Sequence, residues 1–221
     1  MVRAIIVDLD GTLIDSTGAH ALSWQEALAY YGKMVSLEEI TPLLGKGAEE
    51  ITVTLWGEEA EARLIEELTE MRKKIFAKRY RREVKAFPMA REFLCLLKDS
   101  GMRIVLASCA HQEDVEYFID SFDLRPCIDE HVSADEVDRC KPRPDIFELA
   151  LQRAGVEPEE AVAIGDSVHD VLAGRALGIP VIALLSSGGE REKLRAAGAS
   201  EIYNDVRELL KKYDQSLLAK T

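Results

Sequence analysis

Asp8 and Asp10 stand two residues apart in the segment Val7-Asp8-Leu9-Asp10-Gly11-Thr12-Leu13, directly after the apolar run Ala4-Ile5-Ile6-Val7. Three of those four apolar residues are β-branched, which predicts a buried strand. Alternate residues of a strand share a face, so the two carboxylates project toward one place where the strand ends. Acids that close repel one another unless a cation or a shared proton relieves them. Three later segments carry matching groups. Ser108 follows the apolar run 102–107, Lys141 heads the turn Cys140-Lys141-Pro142-Arg143-Pro144, and Gly165-Asp166-Ser167-Val168-His169-Asp170 follows Ala161-Val162-Ala163-Ile164. Such a set suits phosphoryl transfer. Carboxylate oxygens of Asp8, Asp166 and Asp170 are hard ligands of the kind Mg2+ takes, and the ionised Asp8 is a nucleophile for phosphorus. Ser108 and Lys141 can hold the remaining phosphate oxygens, while Asp10 exchanges a proton with the leaving oxygen and then with water. Singly, Ser108 or Asp170 reads as a cap or turn residue and Lys141 as a solvated lysine. Their joint occurrence, each after a strand or a rigid turn, reads as a site.

The elements that must position these residues show in the hydrophobic period. Runs at 102–107, 161–164 and 180–184 predict strands, separated by helical patterns such as 146–154 and 168–177. Alternating strands and helices imply an open parallel α/β sheet, and ligands in such sheets sit beyond the carboxyl ends of the strands. Between the first strand and this alternation, spacings of three and four recur at Ala21, Trp24, Leu28 and Tyr31, and again at Leu64, Leu68, Met71 and Ile75. Residues 15–87 are therefore expected to form an all-helical insertion, with residues 1–14 and 88–221 making the core.

Composition narrows the partners. The 221 residues carry 28 basic and 40 acidic side chains, a formal charge of −12, which argues against general affinity for nucleic acid. A basic run from Arg72 to Lys85 has two readings, a solvated helix face or an electrostatic guide for an anionic substrate. No apolar run reaches the roughly 20 residues of a membrane span, and the early apolar run is interrupted by Asp8 and Asp10 rather than forming a signal segment. Cys95, Cys109, Cys127 and Cys140 form no CxxC pair and are expected to be reduced thiols of a cytoplasmic protein.

These residues resemble the motifs of the haloacid dehalogenase superfamily of phosphatases and phosphomutases, over nearly the whole chain. Asp8-Leu9-Asp10-Gly11-Thr12 resembles its DxDGT signature, Ser108 its second motif, Lys141 its third, and residues 165–170 its GDSxxD motif. The resemblance implies a Rossmann-like open parallel sheet with an inserted helical cap that closes over the site and selects substrate. It implies Asp8 as nucleophile and Asp10 as acid and base. Mg2+ would be bound by Asp8, the Asp10 carbonyl and Asp166, with Asp170 supporting directly or through water. Thr12, Ser108, Cys109 and Lys141 would bind phosphate.

Within the family, dehalogenases and phosphonate-cleaving members lack the second acid, so Asp10 speaks against both. β-Phosphoglucomutases carry a Glu-Asp pair in the fourth motif, where this chain has Gly165-Asp166. The resemblance is thus to the phosphoglycolate phosphatase and β-phosphoglucomutase-like subgroup, with a phosphatase favoured over a mutase. In the cap, His20 and Trp24 either pack the first helix or place His20 to gate Asp10. Gly45-Lys46-Gly47 resembles a substrate-specificity loop, with Lys46 either meeting substrate or facing solvent. The expectation is a Mg2+-dependent phosphatase acting on a small phosphorylated metabolite, of phosphoglycolate or sugar-phosphate type, through an aspartyl-phosphate. A phosphomutase is the alternative. A catalytically silent binding protein would be expected to have lost one of Asp8, Asp10, Lys141 or Asp166, and all are present.

Overall fold

The computed structural model describes residues 2–58 and 60–219. The chain opens with β1 (Ala4–Val7) and the two-residue β2 (Ile14–Asp15). Four helices follow: α1 (Thr17–Tyr30), α2 (Leu37–Ile40), α3 (Ala48–Trp56) and α4 (Ala62–Ile75). After β3 (Lys85–Ala86) helices and strands alternate, beginning with α5 (Ala90–Asp99), β4 (Arg103–Ala107), α6 (Gln112–Ser121) and β5 (Glu130–Val132). Next come α7 (Asp145–Ala154), β6 (Ala161–Gly165), α8 (Val168–Leu177) and β7 (Val181–Leu184). The chain closes on α9 (Arg191–Ala197), β8 (Glu201–Tyr203) and α10 (Val206–Lys211). Two compact units result, Met1–Asp15 with Ala86–Thr221, and Ser16–Lys85.

In the first unit six strands form one parallel sheet in the order β5-β4-β1-β6-β7-β8. This is the α/β architecture that the alternation predicts. β1 lies at the centre, with Ile5 opposite both Ile104 of β4 and Val162 of β6. Every residue of β1, β6 and β7 is buried, which is why their sequences are continuous apolar runs rather than alternating ones. The chain passes from β1 to β4 and β5 on one side, and to β6, β7 and β8 on the other. The direction of winding therefore reverses at β1, and the carboxyl ends of β1, β4 and β6 border the crevice where such sheets bind ligands. The ladder runs on past the strand ends, with Asp8 N–H donating to the Ile164 carbonyl and Ser108 N–H to that of Val132. Both candidate site residues leave the sheet on a fixed backbone.

The second unit has its own apolar core. Ala21, Trp24, Ala27 and Leu28 of α1 gather with Val35, Ile40, Ile51 and Leu68. Part of the basic run is internalised or paired here. Arg72 is buried with its guanidinium over the Trp24 and Phe76 rings, Lys73 pairs with Glu70 at 2.8 Å, and Arg79 pairs with Glu26. Lys74, Lys78, Arg82 and Lys85 of the same run are exposed, so both readings of it stand.

The expectation of four reduced thiols is corrected at one pair. Cys95 on α5 and Cys127 are joined as a disulfide, with their Cα atoms 4.5 Å apart, while Cys109 and Cys140 are free. Residues 32 positions apart in sequence meet because α5 and the turn before β5 pack together, a proximity no spacing rule exposes. Among the described residues no helix is long and apolar enough to cross a membrane.

Candidate active site

At the end of β1, Asp8 is buried and bonded on both carboxylate oxygens. Its Oδ1 accepts from Lys141 Nζ at 2.5 Å and its Oδ2 from Thr12 Oγ1 at 3.1 Å. Lys141 is 1% exposed and also pairs with Asp170 at 2.8 Å, so one ammonium bridges two carboxylates. The Thr12 hydroxyl lies equally close, 3.1 Å, to Asp166 Oδ1. Asp8, Asp166 and Asp170 thereby bring one carboxylate oxygen each within 4.8 Å of the others.

Local folding accounts for each placement. Gly11 has φ +78°, and a Cβ there would come within 2.4 Å of Asp166 Oδ2, so the turn after β1 needs glycine for both conformation and space. At the start of α8, Ser167 and Asp170 form a reciprocal capping box, which fixes the Asp170 carboxylate against the helix terminus. Asp10, partly exposed, takes a different neighbour. Its Oδ2 accepts from Ser108 Oγ at 3.1 Å, and Ser108 Oγ in turn accepts from Ala110 N–H at 3.0 Å.

Electrostatics separate the acids. Burial pushes the Asp8 carboxyl well above the usual carboxylate range; Lys141 opposes this, and Asp170, Asp166 and Asp10 add to it. Burial and then Asp170 raise Asp166 to about 7, against hydrogen bonds from Ser187 and Thr12. Asp170 is the exception. Burial alone would raise it, but Lys141 holds it below the ordinary value. Burial would likewise lower Lys141, yet Asp170 and Asp8 keep it well above an ordinary lysine. Three buried carboxylates against one ammonium leave two negative charges uncompensated when all are ionised. A divalent cation matches both that charge and the all-oxygen donor set.

The structure thus brings together Asp8, Thr12, Lys141, Asp166 and Asp170, and joins Asp10 to Ser108 beside them. Two expected phosphate-binding groups also have protein partners, since Thr12 and Lys141 both bond carboxylates, and the Lys141 ammonium has a third donor beyond those given to Asp8 and Asp170. Cys109 turns its thiol to Cys140. Sequence reasoning missed Ser186 and Ser187. Ser186 Oγ donates to the Gly11 carbonyl at 2.6 Å, and Ser187 hydrogen-bonds Asp166. Both follow β7, so the rule that inspects polar residues after each strand would have found them. In the helical unit, His20 is buried, stacked on Phe76 with ring centroids 4.2 Å apart, and 2.6 Å from Arg72 through Nδ1. Arg72, the first residue of the basic run, is thus an internal partner of His20. Gly45 has φ +91°, and Lys46, before α3, pairs with Glu50 at 2.7 Å.

Residues 5–184 match the family described as haloacid dehalogenase-like hydrolase. The chain belongs to the haloacid dehalogenase-like hydrolases. It is 30% identical over 178 residues to the pyrophosphatase PpaX of Bacillus velezensis, covering 80% of each protein. To phosphoglycolate phosphatase 1 of Pseudomonas aeruginosa it is 27% identical, over 97% of this chain and 80% of that one. A hydrolase from Pseudomonas syringae superposes with a TM-score of 0.90 at 28% identity, covering 96% and 98% of the two chains. Within the family the chain is an enzyme of the phosphatase type, and the buried Asp8, Asp166 and Asp170 cluster is consistent with a metal site of these hydrolases.

Proposed function

We propose that this hydrolase is a Mg2+-dependent phosphatase that cleaves a small phosphorylated metabolite, of phosphoglycolate or sugar-phosphate type, through an aspartyl-phosphate on Asp8. The observation that carries the reading is the division of the two neighbouring acids. Asp8 is enclosed by Lys141, Thr12 and two further carboxylates, whereas Asp10 is held apart on Ser108. A bound Mg2+, held by Asp8 and Asp166 with Asp170 nearby, would supply the positive charge that lets phosphate approach three acids.

The chain's own residues then have distinct work. An Asp8 oxygen forms a bond to phosphorus as the bond to the leaving alkoxide breaks, and Asp10 gives that alkoxide its proton. In the second half, Asp10 takes a proton from water, whose oxygen attacks phosphorus and releases Asp8 and phosphate. Ser108, which both donates and accepts, holds the Asp10 carboxyl in place through each exchange. Lys141 opposes the effect of burial on Asp8 and holds Asp170 in its charged form, and its own charge is available to the phosphate oxygens once substrate is present.

The mutase alternative loses support at Gly165. A Cβ there would lie 2.3 Å from Asp170 Cγ, so the Glu-Asp pair of β-phosphoglucomutases does not fit beside Asp170. Phosphate release from a panel of phosphoglycolate, sugar phosphates, pyrophosphate and nucleotides tests the proposal. Turnover of at least one small metabolite is expected with Mg2+ and should vanish with a chelator; equal rates in both conditions would overturn the metal assignment. Asp8→Asn is expected to lower turnover by roughly 10³-fold or more with an unchanged circular dichroism spectrum. Retained activity would remove Asp8 as the nucleophile.

A further inference from the structure

Two thiols flank the site from separate loops. Cys109 immediately follows Ser108 at the end of β4, and Cys140 immediately precedes Lys141. Both are unbridged and partly buried, and their side chains hydrogen-bond each other. The backbone of Lys141 contacts both sulfurs. From the position and contact of these two side chains we propose that Cys109 and Cys140 form a reversible, peroxide-driven disulfide that displaces Lys141 and switches the enzyme off.

The pair is asymmetric in the way such chemistry requires. Burial pushes the Cys109 thiol up, whereas the hydrogen bond from Cys109, with help from Lys141, pulls Cys140 down despite its burial. Cys140 is therefore the sulfur that ionises more readily, and Cys109 the one that gives up its proton less readily. The Cys140 thiolate attacks one peroxide oxygen, the O–O bond breaks, and the departing hydroxide takes a proton to become water. Cys140 is left as a sulfenic acid. The Cys109 sulfur then attacks the Cys140 sulfur, the S–O bond breaks, and the hydroxyl leaves with the Cys109 proton as a second water. The two sulfurs together lose two electrons and one peroxide is reduced to two waters. A small-molecule dithiol reverses the bond by exchange.

The geometric consequence falls on the catalytic lysine. A disulfide brings the sulfurs to about 2.05 Å, closer than any hydrogen-bonded pair of thiols. Cys109 is anchored through its neighbour Ser108, whose N–H belongs to the sheet ladder, so the Lys141 loop must give. Lys141 Nζ is packed between Asp8 and Asp170 with 1% exposure and cannot follow without leaving one of them.

Peptide mapping reads the sulfur chemistry directly. The full-length protein is treated with hydrogen peroxide, its remaining thiols are alkylated, and it is cut with trypsin together with a glutamate-specific protease. These cut after Lys98, Glu113 and Arg139, among other sites, and so separate all four cysteines. A Cys109–Cys140 linked peptide is expected after peroxide and should disappear with dithiothreitol, and turnover should fall by at least about tenfold and recover in parallel. Cys140→Ser is expected to keep the untreated rate and to lose the reversible inhibition. Absence of the linked peptide overturns the proposal, and so does its formation without loss of turnover. The effect on rate rests on the phosphatase reading. Lack of any turnover before treatment would count against that reading, and the linked peptide alone would then decide the dithiol chemistry.

Discussion

Thr12 shows how closely the acids of this site depend on neutral groups. Its single hydroxyl stands 3.1 Å from both Asp8 and Asp166, so it can donate to only one at a time, and Asp166 needs a second donor. Ser187 is that donor. If Asp166 helps to hold Mg2+, loss of Ser187 should loosen the carboxylate while leaving Asp8 and Lys141 untouched. Ser187→Ala is accordingly expected to raise the Mg2+ concentration needed for half-maximal turnover by roughly tenfold, with a smaller change in KM for substrate. A Mg2+ titration of activity, paired with calorimetric Mg2+ binding, checks this; an unchanged midpoint would place Ser187 outside the metal support. At this scale much of the candidate site was legible, because Asp8, Asp10, Ser108, Lys141, Asp166 and Asp170 each follow a strand or a rigid turn. Ser187 is legible by the same rule, since it follows β7, but as one of several small residues beside two glycines it reads as part of a turn. The bridging of Asp8 and Asp170 by Lys141 was hidden, since it depends on 1% exposure that only packing reveals.

Elements differ in how plainly the sequence announces them. The central strands and α7 and α8 fall within a residue of their hydrophobic runs, because full burial leaves an unbroken apolar signature. β5 and β8 escaped notice. Each has three residues, Glu130-His131-Val132 and Glu201-Ile202-Tyr203, and each lies at a sheet edge where one flank needs no apolar partner. The last strand is followed by α10, whose start is fixed by Asp205 accepting from Glu208 N–H at 2.8 Å. The Asp205 carboxyl lies below its ordinary value. Burial works against this, but hydrogen bonds from the Glu208 and Arg207 N–H groups and pairing with Arg207 outweigh it. A depressed carboxyl contributes stability above its unfolded-state value, about 3.9, and loses it as pH falls through the lower folded value. Asp205→Ala is therefore expected to cost about 1 kcal/mol at neutral pH. The gap from wild type should narrow as the pH is taken below about 4. Urea denaturation of both proteins across that range measures it, and a gap that stayed constant with pH would mean the carboxylate charge is not what caps the helix.

Over the whole molecule, charge sets the conditions under which a phosphorylated substrate arrives. The chain carries a formal −12, and the one basic run that could have offset this locally has Arg72 buried, Lys73 paired with Glu70 and Arg79 paired with Glu26. Those pairs lie within the helical unit, so their neutralisation needs no reference to the sheet unit. An anionic substrate thus approaches against a net negative field, which salt screens with a Debye length of about 10 Å at 0.1 M and about 30 Å at 0.01 M. Repulsion of this kind slows encounter without altering the bound geometry, so its effect belongs in kcat/KM and not in kcat. Raising ionic strength from about 0.01 to 0.1 M at fixed free Mg2+ is expected to increase kcat/KM for a dianionic phosphate ester by roughly two- to fivefold. kcat should stay nearly constant. Steady-state kinetics with a neutral salt decide the matter: a fall in kcat/KM would mean that exposed cations such as those remaining between residues 72 and 85 guide the substrate after all. That outcome would favour the reading of the basic run as an electrostatic guide, and substituting Lys78 with Gln should then weaken the salt dependence, a change the net-charge account does not predict at that position.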